Sequence, residues 1–321
     1  MTPAADSASD GIDAGAGLSI LIAGAGATGG AFGTYLQEAG RDVTFLLRQA
    51  RAATVRANGL RFTAPGADRT NQVDVITAEE LSASPRIFDI VIVAIKAGGL
   101  DSVIDDIGPA VGEQTTIIPF LNGMAQIEKL QHRYPGQVLG GFVKIVGTIR
   151  DGAVVQLTDL AVMTIGDLHA AAVPTRISAA LDVPGFKLQI VDGIIDGLWE
   201  KWTFIAAAGV VTCLFRAPVG AIMAAGGRSH VHAIIDELEA VATAAGHPVS
   251  EASHDMTLQM LTADGSAFTS SLYRDVTAGL PSETEHILGD LSAKAEELGV
   301  ATPLLDLTLV QLRAGEAQKR L

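Results

Sequence analysis

The sequence predicts an α/β protein, with a doubly wound, mostly parallel sheet followed by an all-α C-terminal domain. Three observations predict it. A short apolar run at 18–23 leads straight into Gly24-Ala25-Gly26-Ala27-Thr28-Gly29 and then into a small-residue helical stretch. From there to about residue 191, β-rich runs alternate with helical patterns, the order that builds a parallel sheet. Beyond Asp192 the periodicity is helical and strand signal is scarce.

The first strand is expected at 19–23 and the first helix at 27–38. Gly24 permits the tight turn between them, Gly26 lets the backbone approach a pyrophosphate, and Gly29 lets the helix pack against the strand. The helix N-terminus then presents unpaired N–H groups to an anion. Gly24, Ala25, Gly26, Ala27, Thr28 and Gly29 are therefore candidate cofactor-binding residues of a Rossmann domain. A second apolar run, 43–47, ends in Arg48, with no acid to accept a ribose 2′-hydroxyl. A guanidinium there takes a 2′-phosphate as a bidentate, charge-assisted pair. NADP(H) is thus expected over NAD(H), with Arg48 as its reader. The plainer alternative makes Arg48, Arg51 and Arg56 a solvated helix face.

Further strands are expected at 90–95 and 116–119, with a helix at 100–107 between them. Weaker β signals lie at 60–63 and 72–76. A hairpin follows, 138–149 and 153–158 around Arg150-Asp151-Gly152, and final strands at 162–166 and 186–191. Helices are expected at 195–214, 219–223, 229–245, 250–261, 282–298 and 303–314, punctuated by Pro218, Pro248, Pro281 and Pro303. The domain limits are 18–191 for the NADP-binding domain and 192–321 for a helical substrate and dimerisation domain. Residues 1–17, acidic and rich in Ala, Ser, Asp and Gly, are expected to be a disordered leader, without the basic and apolar regions of a secretory signal.

A net charge of −14 argues against nucleic acid or an anionic membrane as partner. The single cysteine, Cys213, fits a reducing, cytoplasmic setting and reads as a core residue rather than a nucleophile. The apolar stretch 204–227 is interrupted by Arg216, Pro218 and glycines, so it reads as two buried helices rather than a membrane span. The histidines show no metal-ligand spacing, and no metal is expected.

Four residues stand where chemistry is expected. Lys96 and Asn122 follow strands at their carboxyl ends, where open parallel sheets bind ligands. Each has a plainer alternative: a strand-end lysine seeking solvent, and an Asn-Gly turn. Lys201 lies on a mostly apolar helix face with no acid three or four residues away, so it either snorkels to solvent or enters a cleft as a proton donor. Glu283 opens a helix; Ser282 and Glu285 there suggest a capping box, so an acid at 283 would also serve the helix dipole.

Taken together, these residues resemble the ketopantoate reductase (2-dehydropantoate 2-reductase) family. The resemblance runs from about 18 to 312, through GAGATG at 24–29, Arg48, RANGL at 56–60, IVAIKA with Lys96, PFLNG with Asn122, DGLWEKW with Lys201, SSLYRD at 270–275, SETEHILG at 282–289 and ELGVATP at 297–303. It implies NADPH-dependent reduction of a small 2-oxo acid to a 2-hydroxy acid, and the apolar helical domain is expected to pair in a homodimer. It implies that Lys201 polarises and protonates the keto oxygen, that Asn122 contacts substrate and nicotinamide ribose, that Lys96 contacts the cofactor, that Ser271 contacts substrate, and that Glu283 (with Glu285 as fallback) completes the catalytic set. The chain departs from the family at three asparagine positions, which hold Ile205, Gly209 and Phe268. Apolar groups there leave substrate hydroxyls unpaired, at about 1–3 kcal/mol each. A less polar 2-oxo acid or ketone is the alternative substrate, and a non-catalytic NADP-binding redox sensor the alternative function.

Arg48→Ala is expected to weaken NADPH binding about ten- to a hundred-fold, the range of a charged hydrogen-bonded pair, and to leave NADH binding nearly unchanged in fluorescence titrations. Equal effects on both nucleotides would remove Arg48 from the phosphate.

Overall fold

The computed structural model describes residues 17–318. The expected leader therefore lies, apart from Gly17, outside the described residues. Two compact units divide the chain: one comprises the chain up to Ile95, Asp101–Phe120 and Gly136–Asp192, the other Lys96–Leu100, Leu121–Pro135 and Gly193 onward.

Among the described residues the first unit contains ten strands: β1 Ser19–Ala23, β2 Asp42–Leu46, β3 Leu60–Ala64, β4 Ala67–Asn71, β5 Asp74–Ile76, β6 Ile90–Val93, β7 Thr116–Pro119, β8 Leu139–Arg150, β9 Ala153–Asp167 and β10 Lys187–Ile190. Its helices are α1 Ala27–Glu38, α2 Gln49–Asn58, α3 Ala78–Ala83, α4 Leu100–Asp106 (whose first residue groups with the second unit) and, near the end, a helix at Thr175–Leu181. Five strands make one parallel sheet in the order β5-β2-β1-β6-β7. Ile20 of β1 faces Val43 on one side and Ile90 on the other. β6 and β7 are buried at every residue, which is why their sequences, IVIV and TIIP, show no alternation. Chain order reverses between β1 and β6. That switch point puts the carboxyl ends of these strands, and so Gly24, at the ligand crevice.

The remaining strands form a second, mixed sheet, β10-β9-β3-β4, with β8 antiparallel to β9. Two strands expected separately at 153–158 and 162–166 are one fifteen-residue strand, β9. Residues 157–160 face solvent and break the apolar pattern, while the β8 ladder resumes across an irregularity between Ile145 and Gly147. β4 was not anticipated. Its sequence, ADRTN, carries no apolar period, and its pairing with β3 supplies the order. The core between the layers is built on Ile20, Ile22, Phe32, Phe45, Phe62 and Ile90.

The second unit is helical. Between its two strand-end segments and its long C-terminal part it holds α5 Ala125–Arg133, α7 Ile194–Phe215, α8 Val219–Ala224, α9 Arg228–Ala244, α10 Glu251–Leu261, α11 Ser271–Thr277, α12 Asp290–Leu298 and α13 Pro303–Gln318, the helix at Thr175–Leu181 being α6. α7 is long and apolar enough to cross a membrane, but 67% of its apolar window is buried inside the protein. It is the central helix of a core that includes Trp199, Trp202, Val210, Leu238, Leu288 and Leu309. Cys213 sits in that core, and burial pushes its thiol up to about 12, which leaves no thiolate for nucleophilic work.

The helix expected at 282–298 is corrected by the structure. It begins as a π-turn, Glu285–Gly289, and continues as α12. The expected capping box does not form. The Ser282 hydroxyl lies 2.9 Å from that of Thr284, and Glu285 pairs with Arg313 instead. The widened turn is held from α7, where Trp202 Nε1 donates to the Ile287 carbonyl at 2.9 Å.

A Cβ on Gly29 would stand 2.1 Å from the Gly24 carbonyl oxygen, whereas one on Gly26 meets nothing within 4 Å. Gly29→Ala is therefore expected to cost about 1–3 kcal/mol in denaturant unfolding, and Gly26→Ala close to nothing. Equal losses would contradict this packing account.

Candidate functional site

A nucleotide cradle is built on β1, α1 and β2 of the first unit. Gly24 has φ 101°, and its N–H donates to the Leu46 carbonyl at 3.1 Å, which pins the β1 turn to the end of β2. No side chain could be accommodated at Gly24, because the Ala94 carbonyl and Ile95 crowd its Cβ position within 3 Å. Gly26 is the N-cap of α1, without a side-chain cap, and the space over it is open. Nothing in the protein requires a glycine at 26. A pyrophosphate lying on the α1 N-terminus does, so the residues present fit a dinucleotide.

Arg48 is exposed at the N-cap of α2, and its side chain makes no hydrogen bond or ion pair among the described residues. Its neighbours are committed: Arg51 donates to the Gly152 carbonyl at 2.9 Å, and Arg56 binds Glu80 at 2.5 Å and the Val75 carbonyl at 2.9 Å. The three arginines are thus unequal. Arg48 is the one left to a ligand.

The expected chemical residues come together within the helical unit. Two expected residues, Asn122 and Glu283, are joined directly, and a third, Lys96, adjoins them through Ala97. The Glu283 carboxylate accepts from Asn122 Nδ2 through one oxygen (3.1 Å) and from the Ala97 backbone N–H through the other (3.1 Å). Lys96, one residue before Ala97, donates to Asp275 Oδ2 at 3.0 Å and to the Pro281 carbonyl at 3.1 Å. Gln126, fully buried, donates to the Gly123 carbonyl at 2.6 Å and fixes the Asn122-Gly123 corner from below. Glu285 is occupied elsewhere: Arg313 grips both its oxygens and holds its carboxyl below the usual carboxylate range.

Lys201 is half-buried on α7, one residue before the tryptophan that binds the π-turn. Ser271 is exposed as the first residue of α11, beside the N-cap Ser270, whose hydroxyl accepts from Tyr273 N and lies 2.8 Å from Thr212 Oγ1 on α7. The positions where the resemblance implies amides are apolar and packed. A Cβ on Gly209 would stand 3.1 Å from Leu272 Cδ2 and 3.6 Å from Leu288 Cδ2. Ile205 and Phe268 pack against the same core. Asp275 and Trp202 were missed as functional positions. Both lie inside quoted motifs, SSLYRD and DGLWEKW, but only the folded chain shows their partners.

This arrangement defines an oxidoreductase that uses a nicotinamide cofactor, and the comparisons agree. A family model described as ketopantoate reductase PanE/ApbA matches residues 20–170, and one described as ketopantoate reductase PanE/ApbA C terminal matches 194–316. The chain belongs to the ketopantoate reductase family. A Bacillus subtilis protein named as an uncharacterized oxidoreductase, YkpB, is 33% identical over 307 residues, covering 94% of this chain and all of that one. The crystal structure of 2-dehydropantoate 2-reductase from Geobacter metallireducens superposes with a TM-score of 0.83 at 26% identity, covering 92% of this chain and 99% of that one. A ketopantoate reductase from Staphylococcus aureus, described as dimeric, gives 0.76 at 25% identity over 94% and 99% of the two chains.

The two glutamates separate cleanly in a test. Glu283→Gln is expected to lower turnover at least about ten-fold, as for loss of a charged hydrogen-bond acceptor, whereas Glu285→Gln removes an exposed ion pair, at no more than about 1 kcal/mol of stability, and leaves turnover intact. Steady-state kinetics with parallel melts reads both, and the reverse pattern would return the role to Glu285.

Proposed function

We propose that this protein reduces a 2-oxo acid to the corresponding 2-hydroxy acid with NADPH. The observation that carries the reading is the Asn122–Glu283 pair, with Glu283 also holding the Ala97 N–H beside Lys96, in the unit that also bears Lys201. Unpaired Arg48 supports NADPH rather than NADH.

The dihydronicotinamide supplies the hydride when bound. As the carbonyl carbon is reduced, charge develops on its oxygen. The Lys201 ammonium meets that charge and gives up a proton to it. Asn122 keeps its amide oxygen and one Nδ2 N–H to hold the substrate or the ribose, the other N–H going to Glu283. Glu283 fixes the corner that presents Asn122. The Ser271 hydroxyl, exposed at the start of α11, binds the substrate carboxylate.

A specific observation favours a substrate less polar than ketopantoate. Leu272 and Leu288 close on Gly209 where an amide side chain would stand, so the wall along α7 beyond Lys201 offers apolar contact through Ile205, Gly209 and Phe268 rather than hydrogen bonds. A branched or aromatic 2-oxo acid gains there. A hydroxylated one forfeits about 1–3 kcal/mol per unpaired group. By analogy with the Staphylococcus aureus relative, we infer that the protein works as a homodimer.

Two measurements test this. NADPH oxidation across a panel of 2-oxo acids is expected to give a higher kcat/KM for branched apolar acids than for ketopantoate, by about ten-fold or more for one lost hydroxyl contact; a preference for ketopantoate would show that other groups pair its hydroxyl. Lys201→Ala is expected to lower kcat about a hundred- to ten-thousand-fold while NADPH affinity holds. An active variant would refute the lysine's role.

A further inference from the structure

The short helix α11 presents two polar groups one turn apart, Ser271 at its start and Asp275 in its last turn, and residues four apart share a helix face. Ser271 already has a role in the proposed reduction. Asp275 has none, yet its carboxylate is the side-chain partner of Lys96, at 3.0 Å. The two ends of that pair differ. The Lys96 side chain is 58% exposed and the Asp275 side chain 25%. The carboxylate is the embedded member, carried on a helix, and the lysine is the long, solvent-facing one.

The contact belongs to a larger clasp. Residues 275–283 reach the Lys96-Ala97 corner at three points: Asp275 and the Pro281 carbonyl take the ammonium, and Glu283 takes the Ala97 N–H. The backbone contact places the corner but leaves the lysine's four side-chain torsions free. Only Asp275 and Pro281 restrict them, and only Asp275 supplies charge. An ammonium on a flexible stem loses conformational freedom whenever it is fixed. Here that ordering is complete before any ligand arrives, so less is lost on binding.

We propose that Asp275 is a positioning residue that orients the Lys96 ammonium for the dinucleotide and, through α11, keeps it in register with Ser271. The inference rests on the reading of this site as an NADPH-dependent reductase. An ammonium has three donors. Two are directed by Asp275 and Pro281, and the third remains for a ribose or phosphate oxygen. Without the carboxylate, the same charge remains but samples many positions.

A double-mutant cycle tests this. NADPH dissociation constants are measured by fluorescence for the wild type, Asp275→Asn, Lys96→Ala and the double variant, with melting curves alongside. Asp275→Asn is expected to raise the NADPH Kd about two- to five-fold, the range of an exposed ion pair, with kcat at saturation nearly unchanged. In the Lys96→Ala background the same substitution should change nothing, and Asp275→Glu should recover most of the lost affinity. An equal effect in both backgrounds would overturn the proposal, since the aspartate would then act without the lysine. So would a lowered melting temperature with unchanged Kd, which would make the pair purely structural. A wild type that fails to bind NADPH would instead refute the underlying reading of the site, and the inference with it.

Discussion

The Glu283 carboxylate is the interaction on which the chemical half of this molecule depends. Its two oxygens serve two segments far apart in the chain, Ala97 after β6 and Asn122 after β7. Both segments leave the parallel sheet at strand ends, and both group with the helical unit. Without the carboxylate, a backbone N–H and a side-chain amide lose their acceptor together, and half-buried donors left unmet cost about 1–3 kcal/mol each. One carboxylate thus fixes the Ala97 backbone corner and Asn122 at once.

The local backbone explains how an acid at 283 can do this while one at 285 cannot. Residues two apart in this stretch point to different partners, Glu283 to the strand-end corners and Glu285 to Arg313 on α13. The π-turn that separates them from α12 is tolerated because Trp202 satisfies the Ile287 carbonyl from α7. The same turn brings His286 against Gly123: a Cβ there would lie 3.1 Å from the His286 carbonyl, and Gly123 has φ 81°. Glycine at 123 therefore answers to a close backbone approach as well as to the turn. The helix carrying Lys201, the π-turn and the Asn122 corner form one connected packing arrangement.

Much of this was legible in the sequence. The parallel sheet was readable because buried strands such as IVIV leave unbroken apolar runs, and the glycine spacing at 24–29 has a steric meaning that one chain suffices to reveal. The second sheet was only partly readable: β4 has no apolar period, and β9 was split by its exposed middle, since pairing rather than pattern defines both. The site divides in the same way. Lys96, Asn122 and Lys201 could be found because strand ends and a lysine on an apolar helix face are local signals. Asp275 could not, because its importance lies in a partner 179 residues away. The choice between Glu283 and Glu285 was likewise closed to sequence, since a capping-box pattern matched a segment whose tertiary partners draw the backbone into a π-turn.

The substrate side follows from the same physics. Where Leu272 and Leu288 close over Gly209, the proposed selectivity rests on apolar fit, and the proposed chemistry on the cofactor and Lys201. The most direct measurement of the central claim is the fate of the hydride. A branched 2-oxo acid is incubated with NADPH deuterated at C4 of the nicotinamide, on each face in turn, and the product is analysed by mass spectrometry. The account predicts a 2-hydroxy acid carrying one deuterium at C2 from one of the two labelled cofactors. Consumption of the oxo acid without label at C2 from either cofactor, or no hydroxy acid with any 2-oxo acid tried, would contradict it.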